Sequence, residues 1–200
     1  ALSASLTFSD PIRVSGVGVT RIFTQVVSGT YVGVLTLQRS IDDLGSWEDV
    51  GSLASGASSN TTYDDDLDNV IAYYRIGFKA GSYTSGTANV ALQYANGSIT
   101  GVIRITAVAS ATSASAIVLK TLGRTTASEV WAEGAWSPLR GWPTAVAMWE
   151  GRLWWSGNGR NFGSASDAFT IFDPDIEGDA GPINRWIGDG AAADVQWLLP

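Results

Sequence analysis

Apolar and polar positions alternate along much of this chain with a period of two, the pattern of strands that turn one face to a core. Val32-Gly33-Val34-Leu35-Thr36-Leu37-Gln38-Arg39-Ser40 is β-branched and aliphatic, and it stops at the turn formers Asp42-Asp43-Leu44-Gly45-Ser46. Tyr74, Ile76 and Phe78 alternate with Tyr73, Arg75, Gly77 and Lys79, so this strand has one apolar and one mixed face. The same period recurs at Val90, Leu92 and Tyr94, at Ile103 and Ile105, and at Ile117 and Leu119. Ala54-Ser55-Gly56-Ala57-Ser58-Ser59-Asn60 and Ala80-Gly81-Ser82 punctuate these runs as turns. No segment carries a sustained 3.6-residue apolar stripe. Ser110 to Ala116, rich in Ala and Ser, reads as a hairpin connection between β-branched runs. Short strands at regular intervals, with 23 Gly, predict an all-β fold of the sandwich or barrel kind.

Composition divides the chain into three zones. Residues 1–96 read as a β-sandwich module and residues 97–134 as a small β module opened by the turn Asn96-Gly97-Ser98. From residue 135 to 200 the chain is dense in Trp. Six of the nine Trp lie between Trp131 and Trp155, and Trp186 and Trp197 follow. Apolar residues make up 45% and charged residues 16%, which is ample for a packed core. No apolar run approaches the roughly 18 residues of a membrane span. The chain therefore reads as soluble, and no secretory leader is recognisable. It lacks an initiator Met and ends on the apolar Trp197-Leu198-Leu199-Pro200, which reads as an excerpt of a longer protein.

Two absences narrow the chemistry. With no Cys and no His, the chain has no disulfides, no thiol nucleophile, no imidazole base and no zinc site of the usual kind. Catalysis would have to run on carboxylates, Ser/Lys pairs or oxygen-ligated metal ions. The formal charge is −7 and the twelve Lys and Arg are scattered singly. Tight nucleic-acid binding needs a basic patch, so this balance argues against it, while it suits a surface past which DNA slides.

Asp64, Asp66 and Asp68 have the first half of a calcium-loop spacing, but Asn69 stands where the loop needs Gly and Arg75 where it needs Glu. A solvated turn is the favoured reading. Asp173-Pro174-Asp175-Ile176-Glu177-Gly178-Asp179 has the Gly, yet its twelfth position is Asn184, and it reads as a surface loop. Glu129, Glu133 and Glu150 are candidates for a glycosidase pair among sugar-stacking Trp, though no spacing singles out two of them. Gly157-Asn158-Gly159-Arg160-Asn161-Phe162-Gly163 echoes a phosphate loop without its Lys-Ser/Thr ending or a following helix. Asn96-Gly97-Ser98, in a chain without a secretory route, stays a turn.

The Trp-rich zone carries a family resemblance. Arg140-Gly141-Trp142-Pro143-Thr144-Ala145-Val146-Ala147-Met148-Trp149-Glu150-Gly151-Arg152-Leu153-Trp154-Trp155-Ser156-Gly157 resembles a segment of the tail tube or nozzle proteins (tail tubular protein B-like) of short-tailed bacteriophages. There Gly-aromatic-Pro precedes an apolar strand, a polar turn, and Arg-Leu with aromatics ending in Gly. Phe162 to Phe169, Phe172-Asp173, Gly181 to Ile187 and Val195 to Pro200 are similar to the elements that follow. Strand, turn, strand, loop, strand is also the order of one β-propeller blade. Upstream, Gly29-Thr30-Tyr31 through Arg39-Ser40, Trp47, Asn69-Val70 and Tyr74-Arg75 resemble a β-sandwich module of the same proteins. Gly101 to Thr106 and Trp131 to Ser137 resemble their small FCCH-like module, a likeness of fold that implies no ubiquitin chemistry.

The resemblance implies an all-β chain: a β-sandwich, a small β module and the first blade or blades of an incomplete propeller. It implies a non-enzymatic virion protein of the tail, whose copies form a ring (hexameric in nozzles) around a DNA ejection channel. Partners would be the head-to-tail adaptor and tail fibre or spike proteins. DNA would pass without specific binding, and no membrane, metal or cofactor is implied. Trp142, Trp149, Trp154, Trp155 and Arg152 are the candidate packing or interface residues. The alternatives are a carbohydrate- or receptor-binding β module and, behind it, a carboxylate-dependent polysaccharide hydrolase.

Overall fold

A computed structural model of the chain describes residues 1–41, 43–97, 99–123, 126–188 and 195–198. Asp42, Ser98, Leu199 and Pro200, which belong to turns and to the apolar end singled out above, lie outside the described residues. The described residues form antiparallel strands and one turn of 3-10 helix, with no α-helix. They group into two compact units, Ala1–Thr126 and Ala127–Pro200.

The first unit contains β1 (Thr7–Phe8), β2 (Ile12–Val14), β3 (Phe23–Ser40), β4 (Glu48–Leu53), β5 (Ser59–Tyr63), β6 (Ala72–Gln93), β7 (Val102–Ser110) and β8 (Ser113–Lys120). β3 is the spine. β6 pairs along one of its edges, while β4 and β5 share the other. The two strand runs expected around Tyr74 and around Val90 are one 22-residue element, β6. The Ala80-Gly81-Ser82 punctuation survives inside it. Pairing with β3 jumps from Phe78 opposite Leu35 to Tyr83 opposite Gly33, so the intervening residues bulge. A bulge bends its strand and sharpens the twist.

That bend folds the sheet over its own core. Phe23 and Arg39 stand sixteen residues apart on β3, about 50 Å in a straight strand. Tyr74 is the register partner of Arg39, yet its ring lies 4.8 Å from that of Phe23. Leu35, Leu37, Ile76 and Phe78 alternate onto the same enclosed face and are fully buried. Each such side chain contributes about 1.5–3 kcal/mol through burial. Tyr31 is a core residue with a tether, its hydroxyl donating to the Ala57 carbonyl at 2.9 Å and so holding the Ala54–Ser58 detour between β4 and β5.

The hairpin of β7 and β8 turns through Ala111 and Thr112, so Ser113 to Ala116 belong to the strand and not to the connection. The second unit holds β9 (Ala145–Trp149), β10 (Arg152–Gly157), β11 (Arg160–Gly163) and β12 (Ile183–Trp186), hydrogen-bonded in the order β12-β11-β10-β9. Its first two hairpins turn through Glu150-Gly151 and Asn158-Gly159, all four residues at positive φ. Such two-residue turns match the right-handed twist of the strands they join, and Gly and Asn adopt them most readily. The Gly157–Gly163 segment that echoed a phosphate loop is therefore a hairpin.

Candidate functional site

Antiparallel pairing decides which aromatic side chains of the second unit share a face, because register partners project together. Trp155 pairs with Val146 on one side and Phe162 on the other, while Trp154 pairs with Ala147 and Gly163. Trp154 and Trp155, adjacent in sequence, therefore leave the sheet on opposite faces. On one face Trp136 packs edge-on against Phe162 at 5.0 Å and Trp155 at 6.2 Å. On the other, Trp149 and Trp154 lie 6.3 Å apart, and the Trp154 indole donates to the Trp149 carbonyl at 3.2 Å. Trp142 joins neither group and is 62% exposed. The four Trp that are candidate packing or interface residues are thus split between two faces and a loop. Trp136, which sequence reasoning left out, completes one cluster.

Arg152 is buried at the start of β10. Its guanidinium donates from Nη1 to the carbonyls of Ser164 and Gly181, at 2.5 and 2.6 Å, and from Nη2 to the carbonyl of Asp179. It thereby ties the Ser164–Gly181 excursion back onto the sheet. A cation satisfied by carbonyl oxygens alone is a packing staple, since several good hydrogen bonds offset the cost of desolvating it. The Asp173–Asp179 run belongs to this excursion and closes on itself, with Ile176 N–H donating to the Asp173 carbonyl at 3.2 Å. The remaining carboxylate candidates are exposed. Glu133 accepts from Ser137 at 2.6 Å and from Arg140 at 2.7 Å, and these bonds lower its pKa. Glu150 forms a turn.

The first acidic run behaves differently from its spacing. Asp64, Asp66 and Asp68 face solvent, and the residue between the first two, Asp65, is buried. Arg21 grips it with both arms of its fork, Nε to Oδ1 at 2.9 Å and Nη2 to Oδ2 at 2.7 Å. Tyr74 donates to the same carboxylate at 2.8 Å. Nη1 of Arg21 caps the carbonyls of Gly16 and Val70 at 3.1 and 2.5 Å. Burial opposes ionisation of Asp65, but these hydrogen bonds outweigh it and its pKa is lowered. Tyr74 moves upward, through burial first and then its bond to Asp65. This is a structural lock. No group of three acidic side chains is arranged to hold a metal ion among the described residues.

The β7–β8 hairpin has the opposite character. Ile103 and Val118 are register partners, as are Ile105 and Ala116, and Val108 and Ala114; the bulge after Ile105 keeps all six on one face. The second face carries Arg104, Ala107 and Ile117. Both faces are open, with Val108 72% exposed on the first and Ile117 47% on the second. A solitary two-stranded hairpin is only marginally stable in water, and an apolar face of this kind needs a cover.

No protein-family model matches the chain, and no curated protein or solved structure matches it significantly.

Proposed function

We propose that this chain is a non-enzymatic structural subunit of a short-tailed bacteriophage tail, a tube or nozzle component that assembles into a ring around the DNA ejection channel. The observation that carries the assembly reading is the β7–β8 hairpin, apolar on one face and open on both. The assignment to a tail rests on the likeness of Arg140–Gly157 to phage tail segments. Within it, the curled sheet of the first unit is read as the β-sandwich, the hairpin as the heart of the small β module, and β9–β12 as a propeller blade. Thr144, just before β9, supports the blade reading: its hydroxyl donates to the Val195 carbonyl at 2.5 Å. The chain thus returns from the β12 side to β9, as it would on leaving one blade for the next. A net charge of −7 fits a channel wall to which DNA does not adhere. The adaptor and the fibre or spike proteins are its proposed neighbours in the virion.

The test is mass spectrometry of purified virions together with electron microscopy of the full-length protein. Detection in virions and ring-shaped oligomers are expected. A protein that stays monomeric in solution and is missing from virions overturns the proposal. A second reading, a carbohydrate- or receptor-binding module, is favoured by the exposed rings of Trp142 and Trp149. It requires saturable glycan binding that Trp142→Ala or Trp149→Ala weakens, and glycan-array binding indistinguishable from background removes it.

A further inference from the structure

We propose that Arg75, clasped between Phe8 and Trp47, is a preorganised binding slot for a carboxylate. The proposal stands on the first unit alone and is independent of the tail reading. Arg75, Gln38 and Asp49 are successive register partners on β6, β3 and β4, so they form one row on the outward face of the sheet. The guanidinium carbon lies 4.1 Å from the centroid of Phe8 and 4.0 Å from that of Trp47. Two rings so near one carbon that do not pack on each other flank it from opposite sides. Gly77 makes room for this. A Cβ there would meet Phe8 Cα at 2.6 Å and its ring at 2.7 Å, so a larger residue displaces β1 and the ring with it.

One edge of the guanidinium is already fixed. Nε donates to Gln38 Oε1 at 3.0 Å, and Gln38 Nε2 donates to Asp49 Oδ1 at 2.9 Å. The other oxygen of Asp49 accepts from Lys79 Nζ at 2.6 Å, which occupies that carboxylate. Nη1 and Nη2 of Arg75 have no hydrogen-bond partner among the described residues. Arg21 and Arg39, by contrast, spend their forks on Asp65 and Glu48. Burial lowers the pKa of Arg75 with no acidic group opposing it, so this is a half-buried cation that lacks an anion.

The slot favours one shape of anion. A guanidinium is planar, so the free donors of Nη1 and Nη2 point in its own plane, between the two flanking rings. A carboxylate lies in that plane and takes two parallel N–H···O bonds. A tetrahedral phosphate puts oxygens out of the plane, toward the rings. The flanking rings also half-bury the cation, which strengthens an ion pair made there. The carboxylate could be borne by an Asp or Glu of a protein segment or be a free small acid, and the two are separable by experiment.

The experiment is NMR of the intact chain, following the Arg75 guanidinium and the Trp47 indole N–H during titration with sodium acetate. Sodium chloride at matched ionic strength and inorganic phosphate are the comparison arms. A saturable shift with acetate, weaker with phosphate and missing with chloride, is expected. An end-blocked Asp-containing peptide that binds about tenfold tighter than acetate assigns the site to a protein segment, and equal affinity assigns it to free acids. Arg75→Gln must silence the indole response. If that variant does not fold, Trp47→Leu keeps the charge, removes one wall and should weaken acetate about threefold or more. A response no different from chloride, an indole shift that survives Arg75→Gln, or phosphate binding as tightly as acetate overturns the proposal.

Discussion

The curled sheet of β3 and β6 and the hairpin of β7 and β8 are built from the same kind of alternation and end in opposite environments. In the sheet, Leu35, Leu37, Ile76 and Phe78 are sealed inside a fold that closes on itself. In the hairpin, Ile103, Ile105, Val108 and Val118 share a face just as regularly and stay exposed. The difference is length and bending. β3 and β6 are 18 and 22 residues long, enough for a bulged ribbon to fold back and cover its own apolar face. β7 and β8, of 9 and 8 residues, cannot. A short hairpin with an apolar face is thus a surface awaiting cover, whereas a long one can become a core. This is why the assembly reading leans on the hairpin.

The largest effect is expected where the curled sheet buries charge. Asp65→Ala leaves Arg21 enclosed without its carboxylate and should cost about 3–5 kcal/mol in urea unfolding. A loss below about 1 kcal/mol would mean that the lock is wet and not part of the closed core. Next is the apolar core itself. Leu35→Ala removes a fully buried side chain and should cost about 2–5 kcal/mol by the same measurement.

The titrations give smaller, graded effects. Asp65 has a lowered pKa in the fold, so below about pH 4 the unfolded chain takes up its proton first. Its contribution to stability is complete above that pH and fades as pH falls through the depressed folded value. Asp65→Asn should flatten this acid limb of a stability–pH curve. Tyr73, pushed up to about 12 by burial and then by its bond to Asp43, acts at the other end. The unfolded phenol ionises near pH 10, so stability should fall between about pH 10 and 12, and less so in Tyr73→Phe.

The smallest effect on stability tests the comparison most directly. Ile105→Ala in the hairpin should change the unfolding free energy of the isolated chain by less than about 0.5 kcal/mol while reducing self-association in sedimentation. A cost like that of Leu35→Ala would show the hairpin already covered, and the contrast with the curled sheet would collapse.

Much of the fold was legible in the sequence because period-two alternation and Gly/Asn turns are local properties. The all-β class and the apolar runs inside β3, β6, β7 and β8 follow from residues a few positions apart, whereas the Asn158-Gly159 hairpin lay in a segment that read as an echo of a phosphate loop. The sites were less legible. Spacing drew attention to Asp64, Asp66 and Asp68, whereas Asp65 is the buried one, because its partner Arg21 lies 44 residues away. The sole local hint was an Asp run leading into an aromatic strand. The slot at Arg75 joins Phe8, Gln38 and Trp47 from three other segments, and no motif links them.

By itself the sequence determined that the chain is made of strands, that imidazole and thiol chemistry are missing from it, and that its Trp concentrate after residue 130. Those facts are composition and short-range periodicity, which need no third dimension. Only the tertiary structure decided that β3 and β6 fold back over a core, that Trp154 and Trp155 part to opposite faces, and that Arg21 is locked to a carboxylate while Arg75 has none beside it among the described residues. Such outcomes depend on which distant strands pair and in what register, and a register is fixed by packing across the whole sheet.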